Sequence, residues 1–300
     1  MRNHFRMYNA LVELCEECAA TLRSTTPGIY SPVATFIPFS IPFLAMSDDP
    51  GSRHHIQSAI VTVRIIDFLR ENDGATLKEL AEDLDRSKGS IHNYLSTLQA
   101  EEYIKQEDRE YHLTFRFLEL GGYVQQKEQV YDMAREEMKK LVRETGEVVS
   151  LMIEEDGEGV YIDVRRGADA VKMDMYPGYR VALHQTALGK AILAAKSREE
   201  IEAIIEQHGL PAATDNTITD PEELFEELEA IRESDIFFDD QERIEGVRCV
   251  GTPIRRQGEV VAAISISAPV SRMQRERFRT RLPKMLTDSA NIIQLNLTFS

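Results

Sequence analysis

The sequence predicts an α+β chain with an N-terminal winged helix-turn-helix, a linker helix and a C-terminal domain built on an antiparallel sheet. Three observations predict it. Three short amphipathic segments and then a hairpin signal fall between residues 57 and 113. A longer amphipathic stretch runs from Leu118 to Gly146. Beyond it, strand patterns closed by turn residues alternate with helical ones. A chain of 300 residues exceeds what one small core organises, so two folded domains are expected.

The elements follow in order. Val61, Ile65, Phe68 and Leu69 recur at helical spacing and stop at Asn72-Asp-Gly74. Thr76 and Glu79 form a capping box that opens a second helix through Leu77, Leu80, Ala81 and Leu84. Ser87 caps a third, whose Ile91, Leu95 and Leu98 mark the buried stripe. Tyr103-Ile104 and Tyr111-His-Leu113, around a polar turn at 107–109, read as a hairpin. In the linker helix, Val124, Tyr131, Ala134, Met138 and Leu141 follow at spacings of 7, 3, 4 and 3. That pattern suits either a coiled-coil seam or an amphipathic helix lying on its own domain.

In the C-terminal half, Val148–Ile153 and Val160–Val164 flank Asp156-Gly-Glu-Gly159, a hairpin signal. Val171–Tyr176 reads as a further strand closed by Pro177-Gly178. Helices are expected at 186–196, 199–207 and 221–232, the last capped by Asp220 with Pro221 in its first position. Strands at 248–254 and 259–267 and a helix at 272–297 complete the chain.

Residues 1–45 differ from the rest: three Arg balance three Glu, so the whole net charge of −16 lies beyond them. The apolar run from Val33 to Ala45 is short, broken by Pro38 and Pro42, and poor as a membrane or signal segment. Cys15-x-x-Cys18 has no second pair to complete a zinc site. The expectation is an upstream extension that does not fold, with translation starting at Met46.

The 51 acidic residues outnumber 35 basic ones, which divide into 25 Arg and 10 Lys. An acidic, lysine-poor surface is what a salt-rich, halophilic cytoplasm favours, because net charge keeps a protein soluble where screening is strong. Three cysteines make no disulfide framework and point to the same reducing, cytoplasmic compartment. Acidity opposes phosphate binding at long range only, so the decision falls to local motifs.

The third helix carries such a motif. With Ile91, Leu95 and Leu98 inward, Ser87, Lys88, Ser90, His92, Asn93, Ser96 and Thr97 face outward, and Tyr94 suits a phosphate or thymine-methyl contact. No acidic residue occurs between Arg86 and Gln99. In the wing, Lys105 and Arg109 can track the DNA backbone, although Glu107, Asp108 and Glu110 surround them. Double-stranded DNA is therefore the expected partner, with a protein-contacting winged helix as the alternative.

Several stretches resemble the IclR-type family of transcriptional regulators, in a haloarchaeal-like form. They are Gly74-Ala-Thr-Leu-Lys-Glu-Leu-Ala81, Ser87-Lys-Gly-Ser-Ile-His92, Arg116-Phe-Leu-Glu-Leu-Gly121, Leu183-His-Gln-Thr-Ala-Leu-Gly-Lys-Ala191, Gly246-Val-Arg-Cys-Val250 and Val260–Pro269. The resemblance spans about Arg53 to Leu297; Ala182 stands where the family usually has Pro. It implies domains at 53–116 (winged helix-turn-helix), 117–146 (linker and dimerisation) and 147–300 (a GAF-like effector domain). It also implies a homodimer or tetramer and a small-molecule effector, for which an organic acid, a sugar acid and an aromatic catabolite are all compatible. The family's pocket positions map onto Ala187, Leu188, Asp239, Cys249, Ser265 and Ser267.

Strand register gives a similar place. If Arg256-Gln-Gly258 is a three-residue hairpin loop, Cys249 lies opposite Ser265 and Val247 opposite Ser267, all on one face, with Ile264 and Ile266 on the other. A slip of one residue would undo this. No cofactor is expected: Gly189-Lys190 lacks the upstream glycine and the Ser/Thr of a phosphate loop. His184 reads as a buried helix-entry histidine. Arg272, Arg275, Arg277, Arg279 and Arg281 read as a solvated helix face, or else as a subunit contact. A cysteine-dependent enzyme using Cys249, His184 and Asp239 is the rival class, and no local spacing supports it. The chain is thus expected to be no enzyme.

Overall fold

The computed structural model describes residues 55–231 and 234–299. Met46 and the extension ahead of it, with Cys15 and Cys18, lie outside these residues.

The N-terminal unit begins with α1 (Gln57–Glu71), β1 (Ala75–Thr76), α2 (Leu77–Asp83) and α3 (Lys88–Ala100). Both expected caps form. Thr76 and Glu79 make a reciprocal capping box, and the Ser87 hydroxyl accepts the Ser90 N–H. Ile65, Leu80, Ile91 and Leu95 are fully buried, so the three apolar stripes meet in one core. The wing is β2 (Ile104–Glu107) and β3 (Glu110–Leu113), turned by Asp108 and Arg109, both at positive φ. β1 adds to the free edge of β3 and makes a third strand; two residues are too short for a periodicity to reveal.

The linker is two helices: α4 (Arg116–Lys127) and α5 (Gln129–Thr145), interrupted where Glu128 adopts an extended backbone. The expectation of one continuous helix is therefore corrected, and of the two readings of its stripe the amphipathic helix lying on its own domain is the one found. Ala134, Met138 and Leu141 are buried against the sheet of their own chain, whereas Val124 is exposed. The burial of an apolar stripe on the nearest sheet decides the path of α5.

The C-terminal unit is a six-stranded antiparallel sheet in the order β6-β5-β4-β9-β8-β7. Its strands are β4 (Val148–Glu155), β5 (Glu158–Arg166), β6 (Arg180–Ala182), β7 (Phe237–Asp240), β8 (Val247–Arg256) and β9 (Glu259–Pro269). Asp156 and Gly157, both left-handed, make the β4–β5 turn that Asp-Gly predicts. One face packs on α5 and on α9 (Leu282–Phe299), through Leu151, Ile264, Ile266, Leu286 and Ile293. The other carries α6 (Ala187–Leu193), α7 (Arg198–His208) and α8 (Pro221–Ile231). Asp220 caps α8 by accepting the Glu222 and Glu223 N–H groups.

Three further expectations are corrected. Val171–Tyr176 is no strand: Met173 and Met175 point inward as alternation requires, but the segment joins no ladder. The helix expected at 186–196 is shorter, a 3-10 turn at Leu183–Gln185 leading into α6. The β8–β9 pairing places Cys249 opposite Ser267 and Gly251 opposite Ser265, not Cys249 opposite Ser265. The loop has one residue fewer than expected and a bulge follows at Ile254/Arg255, so the register shifts by two in all. Two single-residue shifts restore parity, and the face assignment survives.

Candidate functional site

On α3, Lys88, His92, Asn93, Ser96 and Thr97 are exposed, while Ser90 and Tyr94 are half-buried. Part of this polar face is already engaged. Ser87 spends its hydroxyl on the cap, Thr97 donates to the Asn93 carbonyl at 2.9 Å, and Ser96 lies 3.4 Å from His92 Nδ1. Lys88 and Asn93 carry the strongest groups for phosphate and base-edge contacts. In the wing, Arg109 is exposed at the turn and Lys105 pairs with Glu107 at 2.8 Å.

The second feature is a small cavity of about 10 Å³ between the sheet and α6. That is room for about one water molecule, so a metabolite must open it further. Ala187, Leu188, Asp239, Cys249, Ser265 and Ser267 all line it. Close packing shapes one wall: a Cβ on Gly251 would come within 2.9 Å of the Ala187 backbone, so the glycine lets α6 settle on β8. Thr186 caps α6 through Gly189 N–H and also lines the cavity.

Sequence reasoning missed Tyr161, Met173, Met175, Thr186, Arg243 and Ile244 as lining residues, while Val247 lies on the face it assigned. Met173 and Met175 come from the segment after β5, whose alternation marks the inward side but not what it packs against, and Arg243 comes from the turn after β7, where no period marks a direction. Arg243 places its guanidinium 5.3 Å from the centre of the Tyr179 ring, and its buried Nε has no hydrogen-bond partner in the protein. Ser265 Oγ, 1% exposed, likewise has none.

Burial governs the acids here. It raises the Asp239 carboxyl, an effect only partly offset by the Glu242 N–H donated to Oδ1 at 2.7 Å. It also pushes the Cys249 thiol well up, with Asp239 adding to the effect. Behind the cavity, Lys190 is completely buried and donates to Glu227 at 2.5 Å and to Glu242 at 2.7 and 2.8 Å. Burial works against the Lys190 charge, yet the two carboxylates outweigh it and hold the ammonium protonated. Glu242 is pushed up to about 7, because its burial outweighs the attraction of Lys190.

His184 is buried as expected, with Nε2 3.1 Å from the Pro211 carbonyl and its pKa lowered by burial. It lines a different cavity from Cys249. The arginine run is not simply solvated: Arg272 and Arg277 grip Glu147, and Arg279 lies over Phe238 and Phe278.

A winged helix with an acid-free recognition helix, joined to a domain with a small cavity of mixed polar and apolar lining, defines a ligand-responsive transcriptional regulator. Comparison with known proteins supplies the particular family. Residues 58–108 match the IclR helix-turn-helix domain, and residues 123–295 match the bacterial transcriptional regulator IclR C-terminal model. The chain belongs to the IclR family of transcriptional regulators. It is 32% identical to the protein of Halobacterium salinarum named "Probable HTH-type transcriptional regulator ArcR", over 82% of this chain and 96% of that one. The crystal structure of Thermotoga maritima IclR is similar with a TM-score of 0.69 and 30% identity, covering 81% of this chain and 99% of that one. An IclR homologue from Microbacterium hydrocarbonoxydans, complexed with 4-hydroxybenzoate, shares the fold at 20% identity and a TM-score of 0.70, over 81% and 100% of the two chains. Among the described residues no helix is long and apolar enough to cross a membrane.

Proposed function

We propose that this regulator binds a two-fold operator through α3 and that a small carboxylate metabolite in the α6–sheet cavity sets its operator affinity. The division of labour is the one expected from the sequence: residues 53–116 read DNA, 117–146 link and pair two copies, and 147–300 sense. The observation that carries the ligand class is the pair of buried, unpartnered groups in one cavity, Arg243 Nε and Ser265 Oγ. Burial raises the carboxyl of Asp239, the acid lining the same cavity, and Arg243 is the cation among the lining residues. An organic acid, sugar acid or aromatic acid offers the anion that Arg243 lacks and a polar atom for Ser265, Ser267 or Cys249.

Pairing of two copies is supported by α4 and the residue before it. Phe115 is 89% exposed, and Leu118, Tyr123 and Val124 are each exposed by more than half, apolar surface around α4 that a second copy would cover. Two recognition helices held at one spacing read a two-fold site. Ligand then shifts operator affinity by its differential affinity for the two arrangements.

Action in the cytoplasm, as a regulator and not an enzyme, fits the same reading. The raised Cys249 thiol and the separation of His184 from it argue against Cys249 as an activated nucleophile. One observation favours the second reading, a protein-contacting winged helix: Lys105 is already neutralised by Glu107 on an acidic wing. The test is selection of fragmented genomic DNA by the purified chain in molar KCl, with and without a mixture of organic, sugar and aromatic acids. Enrichment of a few sites sharing a two-fold motif, altered by the acids, is expected. Absence of enrichment by a folded protein would transfer the weight to protein contacts.

A further inference from the structure

We propose that residues 167–176 form a strap by which occupancy of the cavity is read at the C-terminal end of α5. The proposal rests on the reading of the cavity as the effector site and concerns how that site is coupled to the linker.

The inner end of the strap is part of the cavity. Met173 and Met175 are buried in its wall. Among the described residues, no backbone N–H of 171–176 donates to another backbone carbonyl. One side chain does the work of a neighbouring strand: the Arg166 guanidinium donates to the Met173 carbonyl at 3.0 Å and to the Met175 carbonyl. A segment held at so few points belongs to the low-stability end of a protein, where ligand-driven motions arise. A ligand that displaces the two methionines moves backbone with them.

The outer end is fastened to the linker. Gly167 N–H donates to the Glu147 carbonyl at 3.0 Å, and Asp169 N–H to the Gly146 carbonyl at 3.1 Å. Gly146 is the left-handed cap of α5. A Cβ on Gly167 would lie 2.3 Å from the Gly146 backbone, so the approach is open only to glycine. The same two arginines then bind strap root and helix end together. Arg272 holds the buried Glu147 carboxylate in a fork at 2.8 and 2.7 Å and donates to the Asp169 carbonyl. Arg277 donates to Glu147 at 3.0 Å and to the Thr145 carbonyl, at the last residue of α5, at 3.1 Å. Strap root, buried carboxylate and helix end thus share one clasp. Arg166, Glu147, Arg272 and Gly167 are positioning residues for the regulation of the site.

Hydrogen exchange of the full chain, without ligand, tests this. Arg166→Gln removes the inner hold. The expected result is faster exchange at 171–176, by about tenfold or more, with a smaller acceleration at 142–147 and no change in β8 and β9. Acceleration of the strap with 142–147 unchanged would overturn the proposal, as would no acceleration of the strap. If circular dichroism shows that Arg166→Gln does not fold, Arg166→Met, which keeps the apolar stem but loses the Nη2 donor to both carbonyls, is judged by the same two criteria. Gly167→Ala presses on the outer end and is expected to loosen 142–147 and 171–176 together; loosening of either alone would also overturn it. Because no effector is used, failure here leaves the reading of the cavity untouched, and failure of that reading leaves this result standing.

Discussion

Ser150 on β4 lies directly opposite Ser265 on β9, each is 1% exposed, and neither hydroxyl has a hydrogen-bond partner in the protein. An unsatisfied buried hydroxyl costs about 1–3 kcal/mol, so the free protein is less stable here than an apolar pair would make it. We predict that Ser265→Ala leaves stability unchanged or raises it by up to about 1 kcal/mol, while weakening the effector by roughly tenfold or more. Urea denaturation and equilibrium binding read the two effects separately. A large loss of stability would mean that the hydroxyl has a structural partner.

Arg243 supplies the complementary half of the site. Arg243→Gln is expected to abolish discrimination between an organic acid and its amide or ester, with the fold intact. Calorimetric titration of acid and amide against both proteins measures it. Equal discrimination in wild type and variant would remove Arg243 from the site.

Along α3, Lys88 and Asn93 should fail differently. Lys88→Ala is expected to weaken binding to all DNA alike and to reduce the slope of log affinity against log salt by about one. Asn93→Ala should cost about 1–3 kcal/mol on operator and little on unrelated sequence. Fluorescence anisotropy across a salt series separates the two outcomes, and an Asn93→Ala loss that is equal on both DNAs would contradict base reading.

Glu242 makes stability depend on pH. Its carboxyl is pushed up to about 7 in the folded chain from an ordinary value of 4.5. Between those values the folded chain holds a proton that the unfolded chain has released. The contribution of Glu242 to stability is therefore fully present below about 4.5 and is lost as pH rises through about 7. Buried Asp239, also raised, adds with the same sign. Urea unfolding at pH 5 and pH 8 should show the decline, and Glu242→Gln should flatten it. An unchanged slope in the variant would locate the titration elsewhere.

Much of this molecule is legible one residue at a time. Thr76, Ser87 and Asp220 announce their helices because capping is local chemistry, and Asp156-Gly157 fixes its turn because its backbone angles demand such residues. The cavity face is legible because strand parity tolerates a shift of two, even though the pairing of Cys249 was misplaced. What stays hidden depends on distance along the chain. Val171–Tyr176 carries a strand's alternation, but only the fold reveals that Arg166 stands where a strand would pair. Lys190 gives no sign in its helix that Glu227 and Glu242 will enclose it, 37 and 52 residues away. The break at Glu128 contains neither Gly nor Pro, and beyond it α5 packs on the sheet.

The most direct test of the account is the affinity of the chain for an operator recovered by selection, titrated with and without the acids, in wild type and Ser265→Ala. One acid should change wild-type affinity by about fivefold or more, as allosteric coupling usually does, and the variant should bind the operator normally while losing that response. An operator affinity that no acid alters, or a response that survives intact in the variant, would contradict control from this cavity.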